Sequence, residues 1–147
     1  MTLSNLPGRS EYRPVPPLAA AHFVTGIAWL VAGVGLGIYM SVAHDFLLKP
    51  VHAHANLLGW ATNALFGSFY WLRGGVALRR EWLGYVAFNL GGLSLLAGVT
   101  AILIYNSPPS VAMPIGAGLV AFGVLQMAAT IVGAVAKPSR ELVTARG

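Results

Sequence analysis

Four long apolar stretches constrain this chain more than any other feature of its sequence. They cover about residues 18–42, 50–72, 82–105 and 111–136. A lipid bilayer has a hydrocarbon core about 30 Å thick, which a helix of roughly 20 apolar residues can span. Only 9% of the residues are charged, whereas a soluble domain usually carries about 25%. The pattern therefore predicts an all-α integral membrane protein, a bundle of four transmembrane helices.

Positively charged residues flank these stretches unevenly and predict their orientation. Lys49 lies alone on one side of the predicted membrane, and the other eight Lys and Arg residues lie on the opposite side. Those eight are Arg9, Arg13, Arg73, Arg79, Arg80, Lys137, Arg140 and Arg146. Because Lys and Arg concentrate in cytoplasmic loops, we predict a multi-pass protein of a bacterial-type cytoplasmic membrane with both termini inside. The expected organisation is a cytoplasmic tail at 1–17, a transmembrane domain at 18–136 and a second cytoplasmic tail at 137–147.

The placement of the basic residues also explains why the chain is basic, so that a role in binding nucleic acid is not needed to account for its charge. The formal net charge is +5, but the basic residues lie just outside the apolar stretches, where they determine topology. The lipid bilayer is therefore the predicted partner, and no nucleic-acid partner is expected. The chain has no cysteine, which excludes thiolate metal sites and cysteine nucleophiles. Any cofactor would be held by histidine, methionine, carboxylate or backbone groups.

The second apolar stretch contains most of the polar residues that could carry chemistry. Asn56, Gly59, Asn63 and Tyr70 follow His52 by 4, 7, 11 and 18 positions. On a regular α-helix all of them lie within about 40° of His52. Polar groups within a membrane face protein or water rather than lipid, so we expect this stripe to face inward.

Two histidines stand at the start of this stretch. His52 and His54 are two positions apart, which places their side chains about 200° apart around a regular helix. They cannot readily chelate one metal ion, and the spacing favours ligands to two sites or to two partners. A hydrogen bond between helices is the alternative role for each.

The motif around these histidines resembles a known family. Its residues are His52-Ala53-His54, Leu58-Gly59-Trp60, Phe66-Gly67 and Tyr70. The pattern is similar to that of the tenth helix of haem–copper oxidase catalytic subunits, most of all in the C-family oxidases, where the first His binds the high-spin haem and the second the low-spin haem. The resemblance implies that His52 and His54 are axial ligands of haem b near the outer membrane face. It also implies that Asn56, Gly59, Trp60 and Asn63 shape the cofactor pocket.

The resemblance covers only part of the family's architecture. The family's catalytic subunit is built of three four-helix arcs, whereas this chain supplies one arc. The chain also lacks the family's separate copper-binding histidine cluster and its cross-linked His–Tyr motif, so an enzyme assignment is not supported. Three copies would supply three arcs, with His52 of one copy near His54 of the next. We therefore predict a homo-oligomer, in particular a trimer.

Three functions remain open at this stage. The first is a haem b protein that transfers electrons with a respiratory donor or acceptor, or binds a diatomic gas, near the outer face. The second is a copper-binding membrane protein that adds Met40, His44 and Met113 to the two histidines, since imidazole and thioether ligands suit copper. The third is an accessory subunit of a respiratory complex that holds no cofactor.

The remaining polar and small residues are expected to serve the fold. His22 is predicted to be structural or interfacial, and Asn89 and Gln126 to hydrogen-bond between helices. Gly33 and Gly37 form a small-residue pair, which permits close helix packing either within the chain or between subunits. The charged residues outside the apolar stretches are predicted to be solvated.

Overall fold

A computed structural model describes residues 14–136, which are helical apart from short connections and contain no strand. In chain order the helices are α1 (Pro17–Ala43), α2 (Lys49–His54, Ala55–Thr62 and Asn63–Arg73, end to end), α3 (Arg79–Tyr105) and α4 (Ala112–Val135). The predicted all-helical fold of four helices is confirmed. Most of each predicted cytoplasmic tail, at 1–13 and 137–147, lies outside the described residues.

Three of the helices are long and apolar enough to cross a membrane. They are α1, α3 and α4, which indicates a multi-pass membrane protein. Helix α2 runs from Lys49 to Arg73, but its backbone hydrogen bonding changes twice along its length, so no single segment of it reaches the length of a span. The fourth crossing and the orientation remain predictions.

The turns between helices lie where the sequence predicts them. Helix α1 ends at His44, which adopts the left-handed conformation (φ 50°) and donates its backbone N–H to the carbonyl of Met40. Helix α3 also ends at a residue in the left-handed conformation, Asn106 (φ 49°). Asn and His adopt this conformation more readily than most residues. Gly74 and Gly75, at φ 67° and 76°, end α2 with backbone angles that glycine accepts without strain.

The helices pack chiefly as two hairpins, α1 with α2 and α3 with α4. The second hairpin brings two backbones into direct contact. A Cβ atom placed on Gly91 would lie 2.7 Å from the Gly116 carbonyl oxygen, and one placed on Gly123 would lie 2.9 Å from the Gly84 carbonyl oxygen. Small residues permit this approach, so these glycines set the distance between α3 and α4.

This contact gives a testable expectation for Gly91→Ala. The added methyl group meets backbone atoms, which cannot rotate away, so we expect a loss of about 1–2 kcal/mol in the free energy of unfolding. Gly118→Ala is the matched control, because a Cβ at Gly118 meets nothing within 4 Å. That change should leave stability equal or raise it by up to about 1 kcal/mol through helix propensity. Denaturation with sodium dodecyl sulfate in mixed micelles, followed by circular dichroism, measures both, and equal stabilities would contradict the close contact.

The middle of α2, Ala55–Thr62, is a π-helix, whereas the sequence predicts a regular α-helix there. The buried positions of α2 recur every fourth residue here, at Val51, Ala55, Gly59, Asn63 and Gly67. Four residues of α-helix exceed one turn by about 40°, so a fourfold spacing would drift around the helix. A π turn holds more residues than an α turn, which offsets the drift and keeps these five buried positions on one side of α2.

Candidate functional site

His52 lies against α1 on a surface made by two glycines. Its Nδ1 is 2.8 Å from the backbone carbonyl oxygen of Gly33. A Cβ atom placed on Gly37 would lie 3.0 Å from the ring carbon Cε1 of His52. The small-residue pair of α1 therefore packs within the chain, where it admits an imidazole ring and leaves a carbonyl oxygen to accept its N–H.

The same type of hydrogen bond holds His54. Its Nδ1 is 2.7 Å from the carbonyl oxygen of Pro50. A carbonyl oxygen only accepts hydrogen bonds, so the Nδ1 of each imidazole must carry the proton and donate. In the neutral ring, Nε2 then keeps its lone pair. Both histidines thus have the tautomer in which Nε2 can bind a metal.

The two imidazoles leave α2 in different directions, as the spacing predicts. His52 is half-buried and contacts α1, whereas His54 is exposed. A ligand bound by His54 would therefore lie on the outside of the chain. A ligand bound by His52 would approach from the side of the ring not covered by α1.

Of the predicted pocket residues, Asn56 is the one that lies beside His52. Its Nδ2 is 3.4 Å from both ring nitrogens of His52 and donates to the His52 backbone carbonyl at 3.0 Å. Its amide also packs over Gly33, where a Cβ atom would lie 2.7 Å from Oδ1 of Asn56. Asn56 thus fixes one face of the His52 ring and satisfies a carbonyl at the start of the π-helix.

The other three predicted pocket residues lie further along α2. Gly59 packs beneath the indole of Trp29, which a Cβ atom at Gly59 would overlap. Trp60 lies against Gly26 of α1, and Asn63 is fully buried in a separate polar cluster. Within one chain these three residues pack α2 against its neighbouring helices and do not surround His52 and His54.

The residues considered for copper differ in exposure and in packing. His44 is exposed at the end of α1, and Met40 is buried, with 4% of its surface exposed. Met113 packs its side chain against Gly98 of α3. Residues 14–136 contain no group of three or more His, Cys, Asp or Glu side chains placed to share a metal ion.

A buried polar cluster joins α1, α2 and α3 nearer the other end of the helices. His22, which is 2% exposed, donates from Nδ1 to Oδ1 of Asn63 at 2.8 Å. Asn63 donates from Nδ2 to the Gly59 carbonyl at 2.7 Å and to Oδ1 of Asn89 at 3.0 Å. The His22 ring stacks on Tyr70, with ring centres 5.6 Å apart. The predicted structural role of His22 and the helix-joining role of Asn89 are confirmed, whereas Gln126 donates its side-chain hydrogen bond to Thr130 of its own helix. In the sequence, this cluster could have been recognised because His22, Asn63 and Asn89 lie at similar depths in their predicted transmembrane helices.

A buried ion pair joins the end of α2 to the start of α3, on the side of the membrane that the sequence predicts to be cytoplasmic. Arg73 donates two hydrogen bonds to the Glu81 carboxylate, which also accepts the backbone N–H of Leu78 at 2.8 Å. The hydrogen bonding with Glu81 raises the pKa of the Arg73 guanidinium above its ordinary value, so the cation persists.

The prediction that charged residues outside the apolar stretches are solvated is wrong for Glu81, which is 1% exposed. Helix α3 begins at Arg79 rather than near 82. Glu81 therefore belongs to its first turn, where the carboxylate can cap the helix by accepting a backbone N–H. The short connection between α2 and α3 places the Arg73 guanidinium beside the Glu81 carboxylate.

No protein-family model, curated protein or solved structure matches this chain. The fold and the helix lengths of residues 14–136 therefore define its class: this part of the chain is all-helical, and three of its helices are able to span a membrane.

Proposed function

We propose that the chain is a membrane haem b protein related to haem–copper oxidase subunit I. It would sit in a bacterial-type cytoplasmic membrane and transfer electrons or bind a diatomic gas near the outer face. The observation that supports this most is the hydrogen bonding of His52 and His54, each of which donates Nδ1–H to a backbone carbonyl. Metal-ligating histidines commonly make this bond, which fixes the tautomer and increases the basicity of the other nitrogen.

The placement of the histidines fits a haem between chains better than one inside a chain. His54 is exposed, so a haem bound by its Nε2 would rest on the outside of α2. His52 faces another direction and is half-buried. The two cannot bind opposite faces of one haem within a single chain. A homo-oligomer, with three copies favoured by the resemblance, would bring the histidines of neighbouring chains together.

The chain's own groups would orient and tune such a cofactor. The Gly33 and Pro50 carbonyls hold the two rings, and Asn56 restrains the His52 ring. Haem iron supplies one-electron redox chemistry or an open position for a gas, according to its axial ligands. A respiratory electron donor or acceptor is the partner that this function would need. No catalytic reaction is proposed.

Optical spectra of the purified protein test the proposal directly. The full chain, expressed with added haem and purified in mild detergent, should show a Soret band and sharp α and β bands after dithionite reduction. His52→Ala and His54→Ala should each reduce the bound haem strongly, because each removes an axial ligand. His44→Asn is the control, since His44 is exposed in a left-handed conformation that Asn also adopts.

A featureless spectrum at full haem supply would overturn the proposal. Metal analysis of the same sample would then separate a copper protein from an accessory subunit that holds no cofactor. Native mass spectrometry tests the shared site independently, because a haem-loaded monomer would contradict the proposed oligomer. A spectral shift with carbon monoxide would indicate an open position and favour gas binding over electron transfer.

A further inference from the structure

A charged cavity lies where α2, α3 and α4 meet, far along the chain from the two proposed haem ligands. Its volume is about 140 Å³, and its walls include Arg73, Arg80, Glu81, Thr130 and Gly133. A water molecule occupies about 30 Å³ in the liquid, so the cavity can hold a group of several heavy atoms. Its lining is mixed, with charged side chains on the α2 and α3 side and small residues on the α4 side.

The charges around this cavity leave it positive. The Glu81 carboxylate already accepts three hydrogen bonds, two from Arg73 and one from the Leu78 N–H. Its side chain has no exposed surface. Arg80 also lines the cavity and adds a second cation. Two guanidinium groups against one carboxylate give a net charge of +1. A guanidinium matches the geometry of phosphate oxygens closely.

The cavity also lies at the depth of lipid headgroups. Arg73 is the last residue of α2, Arg80 is in the first turn of α3, and Gly133 is in the last turn of α4. Helices α3 and α4 are both candidate spans, so their ends lie at the membrane surface. Basic pockets between transmembrane helices on the cytoplasmic side bind anionic lipid headgroups.

We propose that this cavity binds the phosphate group of an anionic phospholipid, with Arg80 as the side chain that contacts the phosphate. Arg73 holds Glu81 in place and contributes positive charge. The small residues of α4 leave room beside the headgroup for the start of the acyl chains. This site is independent of the proposed haem and needs only insertion of the helices into a bilayer.

Arg80→Gln and Arg79→Gln form a matched pair of variants for testing the site. The two residues are adjacent and exposed, and each change removes one positive charge, but only Arg80 lines the cavity. The full chain in mild detergent is titrated with phosphatidylglycerol or phosphatidylcholine, and bound lipid is counted by native mass spectrometry. Wild-type protein should retain phosphatidylglycerol in preference to phosphatidylcholine. Arg80→Gln should weaken this binding about fivefold, the effect of one basic residue near an anionic surface, and Arg79→Gln should not.

Three results would overturn the proposal. Equal weakening by both variants would indicate diffuse attraction to surface charge rather than a site. Equal retention of the two lipids would remove the selectivity for an anionic headgroup. Displacement of phosphatidylglycerol by inorganic phosphate alone would indicate a site for free phosphate. Circular dichroism of both variants, with unchanged helix content, excludes misfolding as the cause of a loss.

Discussion

Glu81→Leu should lower the free energy of unfolding by about 2–3 kcal/mol, the largest loss expected from one substitution in this chain. The change leaves the Arg73 guanidinium without its carboxylate partner and removes the acceptor for the Leu78 N–H. Breaking a fully buried ion pair costs about 3–5 kcal/mol. The Arg73 side chain is 24% exposed, so water partly stabilises the remaining cation and reduces the loss.

The double variant Arg73→Met/Glu81→Leu should recover most of that stability. Replacing a buried ion pair with apolar residues of similar volume is often neutral, because the cost of removing two charges from water disappears with them. Denaturation with sodium dodecyl sulfate in mixed micelles gives the four free energies of a double-mutant cycle. Arg79→Met controls for loss of surface charge, since Arg79 is exposed. Additive losses from the two single changes would mean that Arg73 and Glu81 are not coupled.

Asn63→Leu should destabilise the protein by about 2 kcal/mol. The change keeps the side-chain size but removes the partner of His22 Nδ1–H, of Asn89 and of the Gly59 carbonyl. In soluble proteins each buried group left without a partner costs about 1–3 kcal/mol. In membrane proteins the average is nearer 0.6 kcal/mol per hydrogen bond, because the unfolded helices find other partners. Losing three hydrogen bonds at about 0.6 kcal/mol each gives the expected loss of about 2 kcal/mol in the free energy of unfolding.

Ser68→Ala is the control for Asn63→Leu. Ser68 lies on the same helix and donates only to the Ala64 carbonyl within it, so its loss should change stability by less than about 0.5 kcal/mol. The same denaturation assay applies to both. Equal stability of Asn63→Leu and the unchanged protein would show that the buried cluster contributes nothing net to folding.

The sequence alone predicted much of the helical framework. Breaks appeared where Pro, Gly, Asn and charged residues interrupt the apolar stretches, and the helices end close to those points. The inward stripe of α2 was predictable in its later part, since Gly59, Asn63 and Tyr70 are buried, whereas His52 and Asn56 at its start are only half-buried. These features are local, because they depend on residue type and spacing along one helix.

The candidate site was only partly predictable. The opposite directions of His52 and His54 follow from their spacing alone. The hydrogen bond of His52 does not follow from the spacing, since the Gly33 carbonyl that accepts it belongs to another helix. The separation of Asn63 from His52 and His54, and its hydrogen bond to His22, were also missed, because a shared stripe on one helix does not show which neighbouring helix each residue contacts.

The sequence by itself predicted that residues 14–136 form four apolar helices, three of which the structure shows to be long and apolar enough to cross a membrane, and where the polar side chains lie on α2. Hydrophobicity and helical spacing are sufficient for those conclusions. Only the tertiary structure decided that Gly33 and Gly37 receive an imidazole ring, that Glu81 is buried beneath Arg73, and that a positive cavity remains beside that pair. Each of these depends on contacts between helices, which are set by how close the backbones approach and not by the pattern along any one of them.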